Sequence, residues 1–217
     1  MNPDAKSEVL RYLGYHGQEL SPELAARVDA AMAECRAVTR ARHTLRRFPL
    51  VPESNGLRLA ESDVLLSGKQ VARRLAGAKE AVLLAATLGT EIETCIHRHQ
   101  HLDMAYALML DAAASQRIEE ICDAAEDALR AQLVGEALCL GRRFSPGYGD
   151  LPLSLQAPLL ALLDAPRRIG LTCTASFLLT PRKSITALLG LFAGEAPSAG
   201  HGCAYCSISD RCGIRKR

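Results

Sequence analysis

MAYALMLDAAASQRIEEICDAAEDALRAQLVGEAL, residues Met104 to Leu138, is the longest periodic segment of the chain. It is rich in Ala, Leu and Glu, with no Pro and one Gly, so it is expected to form a long central helix, the spine of the fold. Before it, AVLLAATLGT (81–90) is uncharged and ends at Gly89, as a buried strand does, and the pattern returns to helix from Glu91. After it, LCLGRRFSPGYGDLPLS places three Gly and two Pro in seventeen residues, which reads as a loop with little regular structure.

Working outward, Leu155 to Asp164 fits a helix, and IGLTCT and SITALLGLF read as strands joined by ASFLLTPRK. Residues 7–13 fit a short helix. LSPELAARVDAAMAECRAVTRAR fits a strong one, with Ser21 as N-cap, Pro22 in the first turn and Leu24, Val28, Met32 and Cys35 as its apolar stripe. Strand-like pieces fall at 46–51 and 57–60 between turn residues, and a further helix fits 67–75. Helices outweigh strands and do not alternate with them regularly. The expected class is α+β, with helices packed on a mostly antiparallel twisted sheet, a long central helix and a small cysteine-rich C-terminal tail. The expected organisation is a domain over 1–192, a linker over 193–202 and the tail over 203–217.

With 217 residues, 48% hydrophobic and 23% charged, the chain has the composition of a globular protein that folds alone. Its net charge is +2, from 26 Lys and Arg against 24 Asp and Glu, so no global field points to nucleic acid or an anionic membrane. Aromatic residues make up 4%, too few for a base-stacking platform. The longest uncharged stretches, 151–163 and 169–181, fall short of the roughly 20 apolar residues that span a bilayer. Asp4, Glu8 and Arg11 occupy the region where a signal peptide needs an apolar core, which leads to the expectation of a cytoplasmic protein. Of the eight Cys, Cys35, Cys95, Cys122, Cys139 and Cys173 lie in apolar segments and read as reduced core thiols.

GRRFSPGYGD, residues 141–150, carries a concentration of binding chemistry. An Arg can hold a carboxylate or phosphate through two parallel hydrogen bonds, a Pro-Gly pair stiffens one peptide and lets the next approach a ligand closely, and Tyr148 offers a flat face with a polar tip. The same residues also suit an ordinary surface turn with solvated arginines. Other motifs are weaker. His97 and His101 stand one helical turn apart with His99 opposite, no carboxylate or third His completes a site, and the segment reads as a solvated helix end. LLSGKQ has Asp63 where a phosphate loop needs its first Gly and Gln70 where it needs Ser or Thr. ATLGTEIE lacks the further glycines of a nucleotide-binding turn. Arg182 and Lys183 in LTPRKS read as solvated charges, with a corrinoid or partner-protein contact as the alternative.

RFSPGYGDLP, followed by GLTCTASFLLTPRKSITALLG, resembles the activation domain of cobalamin-dependent methionine synthase, with its R-x-x-P-G-Y motif and downstream T-E-S-F…P-x-x-S-V segment. EVLRYLGYHGQELSPEL, VLLAATLGTEIE and DAAASQRIEE extend the likeness to free-standing members over residues 8–192. The resemblance implies a module that binds S-adenosylmethionine and supports reductive methylation of cob(II)alamin. It implies that Arg143 clamps the methionyl carboxylate and that Ser145, Pro146, Gly147 and Tyr148 form the wall around the ligand. It further implies an acidic residue on the spine helix for the ligand's ammonium. Asp111, Ser115, Glu119 and Cys122 share one helical face, and Glu119 is the best match. One departure is plain: Thr174, Ala175, Ser176 and Phe177 stand where the family has T-E-S-F, so a carboxylate is missing. The implied partners are a separate methionine synthase lacking its own activation domain, or another corrinoid protein, and a flavodoxin or ferredoxin as electron donor.

The tail HGCAYCSISDRCGIRKR spaces Cys203, Cys206 and Cys212 as C-x2-C-x5-C, with His201 as fourth candidate ligand. This spacing suits zinc or an iron–sulfur cluster and leaves a redox dithiol as the alternative. A second reading of the chain follows from it: a noncatalytic electron-transfer or scaffold protein whose working end is the tail and whose ligand pocket is degenerate.

Overall fold

The computed structural model describes residues 3–15 and 17–194. The expected tail, with His201, Cys203, Cys206 and Cys212, lies outside them. The fold is α+β. Six strands form one antiparallel sheet in the order β3-β2-β1-β4-β8-β5: β1 (Arg42–Glu53), β2 (Gly56–Leu59), β3 (Leu65–Leu66), β4 (Glu80–Thr87), β5 (Leu138–Leu140) and β8 (Ser184–Ala193). Two short strands, β6 (Thr172–Cys173) and β7 (Leu179–Thr180), pair as a separate hairpin.

β4 at the centre of the sheet explains the layering. It pairs with β1 on one side and with β8 on the other, and Ala81 to Thr87 are all buried. Val82, Leu84 and Ala86 face a core shared with α1 (Pro3–Tyr12), α2 (Pro22–Val38), α4 (Glu91–Leu102) and α5 (Met104–Leu133). Ala81, Leu83 and Ala85 face a second core with α3 (Lys69–Arg74), α6 (Gln156–Leu162) and α7 (Ala165–Ile169). Successive strand residues point to opposite faces, so a strand covered on both sides is apolar throughout instead of alternating.

The helices follow their local chemistry. The Ser21 side chain accepts from the Leu24 amide at 3.2 Å and starts α2. Asp103 accepts from the Tyr106 amide at 3.0 Å and starts α5, whose buried Leu110, Ala114, Ile118, Cys122, Ala125 and Leu129 lie three or four residues apart.

The structure corrects several boundaries. The spine helix ends at Leu133, not Leu138: Val134–Glu136 tighten into a 3-10 turn, Ala137 turns left-handed at φ 51°, and Leu138–Leu140 become an edge strand on β8. The 138–154 loop is therefore partly regular. The 169–174 strand shrinks to Thr172–Cys173, because Pro166 helps start α7, which runs through Ile169 and ends at Gly170 (φ 71°). Cys35, Cys95 and Cys122 are buried, but Cys139 is exposed and Cys173 half-buried, since each lies on a short strand with an open face. β8 runs one residue past the expected SITALLGLF strand. Among the described residues no helix is long and apolar enough to cross a membrane.

Leu84 is fully buried at the centre of β4. Leu84→Ala is expected to lower stability by about 2–5 kcal/mol in urea denaturation; a loss under about 1 kcal/mol is incompatible with a strand packed on both faces.

Candidate functional site

The GRRFSPGYGD segment is pinned along its length. The Gly141 amide donates to the Gly190 carbonyl at 2.8 Å, and Phe144 exchanges backbone hydrogen bonds of 2.9 and 2.8 Å with Leu188 of β8. Ser145 to Tyr148 then form a tight turn, with the Tyr148 amide donating to the Ser145 carbonyl at 3.3 Å. Pro146 and Gly147 occupy its centre, and Gly147 has φ +90°, the arrangement of a type II turn. At the far end the Asp150 carboxylate accepts from the backbone amides of Lys69 at 2.5 Å and Gln70 at 3.1 Å, joining the loop to the start of α3. Those amides belong to LLSGKQ, so the anion at this helix start is the protein's own carboxylate. Gly149 lies so close that a Cβ on it would stand 2.2 Å from the Gln70 side-chain nitrogen Nε2.

Between this loop, α5, α6 and β8 lies a cavity of about 380 Å³, lined by Arg74, Glu119, Arg143, Ser145, Tyr148 and Gln156 among others. Glu119, Arg143, Ser145, Pro146 and Tyr148, all singled out in the sequence, meet there. Gly147 makes their turn, backing onto Leu153.

Arg143 is the electrostatic centre. Its Nη2 donates to Glu119 at 2.5 Å, and its Nη1 to Asp123 at 2.7 Å and to Glu126. Burial works against the charged guanidinium, but the hydrogen bonds it donates to Glu126, Asp123 and Glu119 outweigh it and hold its pKa above the ordinary arginine value. Glu126, nearly fully buried, is also bound by Arg130 at 2.8 Å. Glu119 is the acid that faces the loop. Its neighbour Glu120 turns away to Arg117 at 2.8 Å and Arg36 at 3.2 Å, which resolves the helical register. One turn on, burial pushes the Cys122 thiol up to about 12, so it serves as an apolar core group.

Sequence reading missed Arg74, Gln156 and Thr186. Arg74 comes from α3, about seventy residues before the motif, and lies with its guanidinium 5.6 Å from the centre of the Phe144 ring. Burial and the nearby Arg73 and Arg142 depress its pKa, and Gln70 accepts a hydrogen bond from it at 3.4 Å. The cavity thus has a second cation, whose neighbours favour an incoming anion. The Thr186 hydroxyl donates to the Gln156 amide oxygen. No local motif marks any of these residues.

The Thr174–Phe177 segment forms the tip of the β6–β7 hairpin, with Thr174 and Ser176 hydroxyls 2.9 Å apart and Ala175 exposed. Leu179 of the same hairpin reaches the cavity. Lys183 is not a solvated charge: its ammonium pairs with Asp111 at 2.9 Å and donates to the Ser115 hydroxyl at 2.8 Å, tying β8 to α5.

Among solved structures, the chain is similar to one described as the crystal structure of the MetH reactivation domain bound to AdoHcy. The match has a TM-score of 0.67 at 16% sequence identity, covering 90% of this chain and 77% of that one. The fold is that of a methionine synthase reactivation domain. No family model and no curated protein matches the sequence.

Asp150→Ala leaves the first amides of α3 without their acceptor and releases the end of the loop. A loss of about 1–2 kcal/mol is expected, with faster amide exchange at Lys69 and Gln70; unchanged exchange at both would show that the carboxylate does not anchor the loop.

Proposed function

We propose that the cavity holds S-adenosylmethionine and that the protein presents the ligand's methyl group to a corrinoid carried by a separate methionine synthase lacking its own activation domain. The observation that carries this reading is the Glu119–Arg143 pair on the cavity wall. A carboxylate and a guanidinium 2.5 Å apart offer both halves of an amino acid a partner of opposite charge. A zwitterion inserted there places its carboxylate on Arg143 and its ammonium on Glu119. Asp123 and Glu126 keep hold of Nη1 meanwhile, so the guanidinium stays in place and every charge remains paired. A cavity of this size fits the range typical of small-molecule sites. The similar solved domain, described as bound to AdoHcy, supports the same ligand class.

In this reading the corrinoid supplies the nucleophile after one-electron reduction by a flavodoxin or ferredoxin, and the sulfonium supplies the methyl group. The chain's own work is positioning. Arg143 and Glu119 fix the amino-acid end, the Pro146–Gly147 turn shapes the wall, and Tyr148, largely exposed, flanks the mouth. No general acid or base is needed. The tail is proposed to bind zinc or an iron–sulfur cluster through Cys203, Cys206 and Cys212 with His201, which iron, sulfide and zinc analysis of the anaerobically purified protein separates.

Calorimetric titration tests the ligand. Saturable one-to-one binding of S-adenosylmethionine is expected, with S-adenosylhomocysteine titrated alongside. Arg143→Ala is expected to weaken it by about 2–4 kcal/mol, and Glu119→Gln to weaken it by removing the partner of the ammonium. No binding at millimolar ligand, or an affinity unchanged by Arg143→Ala, overturns the assignment.

A further inference from the structure

Beside the first turn of α5, away from the cavity, three side chains from two distant parts of the sequence converge. Glu34 of α2 and Cys95 and His99 of α4 bring one carboxylate oxygen, one thiol sulfur and one imidazole nitrogen within 4.8 Å of one another. We propose that Glu34, Cys95 and His99 form a binding site for a zinc-class divalent cation, with solvent as fourth ligand.

The geometry is the main argument. A tetrahedral ion with bonds of about 2.0–2.3 Å separates its ligand atoms by about 3.3–3.5 Å. Glu34 Oε1 lies 3.2 Å from Cys95 Sγ and 3.3 Å from His99 Nε2. Two of the three edges thus already stand at nearly the lengths of such a site, and the third, between Cys95 and His99, lies within 4.8 Å. Cys95 and His99 are four residues apart on α4, so one helical face presents both, and Glu34 approaches from α2.

The donor types fit the same ion. Sulfur, imidazole and carboxylate together suit zinc and its borderline-soft neighbours, whereas magnesium and calcium take oxygen ligands. On binding, the Cys95 thiol releases its proton, and thiolate and carboxylate balance the two charges of the cation. The supporting shell is present too. The Tyr106 hydroxyl donates to the other Glu34 oxygen at 2.9 Å, leaving Oε1 turned toward Cys95 and His99, and the Tyr106 ring lies against the His99 ring with centroids 4.9 Å apart.

Arg98 is the competing cation. Its guanidinium stands 3.3 Å from Glu34 Oε1 and 3.9 Å from Cys95 Sγ. With its side chain 64% exposed it can swing into water, and it and the metal exclude each other. The site is separate from the ligand cavity: Tyr106 and Glu119 are thirteen residues apart on α5, about 20 Å along the helix axis. His97 and His101, the pair one helical turn apart in the sequence, pack their rings on each other at 4.9 Å and take no part.

Cobalt(II) is the probe, because a thiolate ligand gives it a near-ultraviolet charge-transfer band. The full-length chain carrying Cys203→Ser, Cys206→Ser and Cys212→Ser removes the tail thiols from the readout. Titration of this protein is expected to saturate at one equivalent with that band, and zinc is expected to displace the cobalt. Adding Cys95→Ser should abolish the band, and Tyr106→Phe should weaken binding about 10- to 100-fold. Glu34→Gln and His99→Gln, which leave the buried Cys95 in place, carry the test if Cys95→Ser does not fold by circular dichroism. Arg98→Ala is expected to tighten binding. Absence of stoichiometric cobalt or zinc binding, or a charge-transfer band that survives Cys95→Ser, overturns the proposal. S-adenosylmethionine titration of the same variants reads the cavity independently of the metal.

Discussion

Burial of β4 and β8 on both faces is the constraint from which the rest of the architecture follows. Leu83, Leu84, Leu188 and Leu189 are all fully buried, and they point alternately into two separate cores. A sheet used in this way needs a helical layer on each side. The long α5 covers one face with α1, α2 and α4, while α3, α6 and α7 cover the other. The connection from α5 to α6 must then pass from one layer to the other, and it does so along the edge of the sheet beside β8, through β5 and the Arg-Pro-Gly-Tyr loop.

That crossing accounts for the position of the cavity. Phe144 is bonded to Leu188 of β8, Asp150 to the start of α3, and Arg143 reaches back to Glu119, Asp123 and Glu126 of α5. One short loop is thereby attached to both helical layers and to the sheet. The electrostatics are built in at the same time. Glu126 is nearly buried, and its charge requires the two guanidiniums that hold it. Glu119 and Asp123 are more open, and Glu119 can exchange partners with a ligand at lower cost.

The α2–α4–α5 corner has a different character. Glu34 is reached by four donors, from Cys95, Arg98, His99 and Tyr106, although it is itself only half-buried. Hydrogen bonding lowers its pKa against the opposing effect of burial, so the carboxylate is charged at neutral pH with or without a cation. The same residues therefore serve as a polar clasp between helices and as a preformed set of metal donors.

Local chemistry decided much of this in the amino-acid sequence itself. The Ser21 cap, the unbroken apolar run of β4, the helical period of α5 and the Pro146–Gly147 turn each depend on residues within a few positions of one another, and each stands in the structure as its sequence implies. The RxxPGY motif and the acidic helix face could be matched to a known domain, and with them Glu119, Arg143, Ser145, Pro146 and Tyr148 of the cavity. Why 138–140 is strand was settled by pairing with β8, which no local pattern encodes. Arg74, Thr186 and the Glu34–Cys95–His99 cluster likewise became visible only in three dimensions. Their partners across the fold lie 30 to 72 residues away, and a side chain's chemistry depends on what faces it across space, whereas sequence periodicity reports only which way it points.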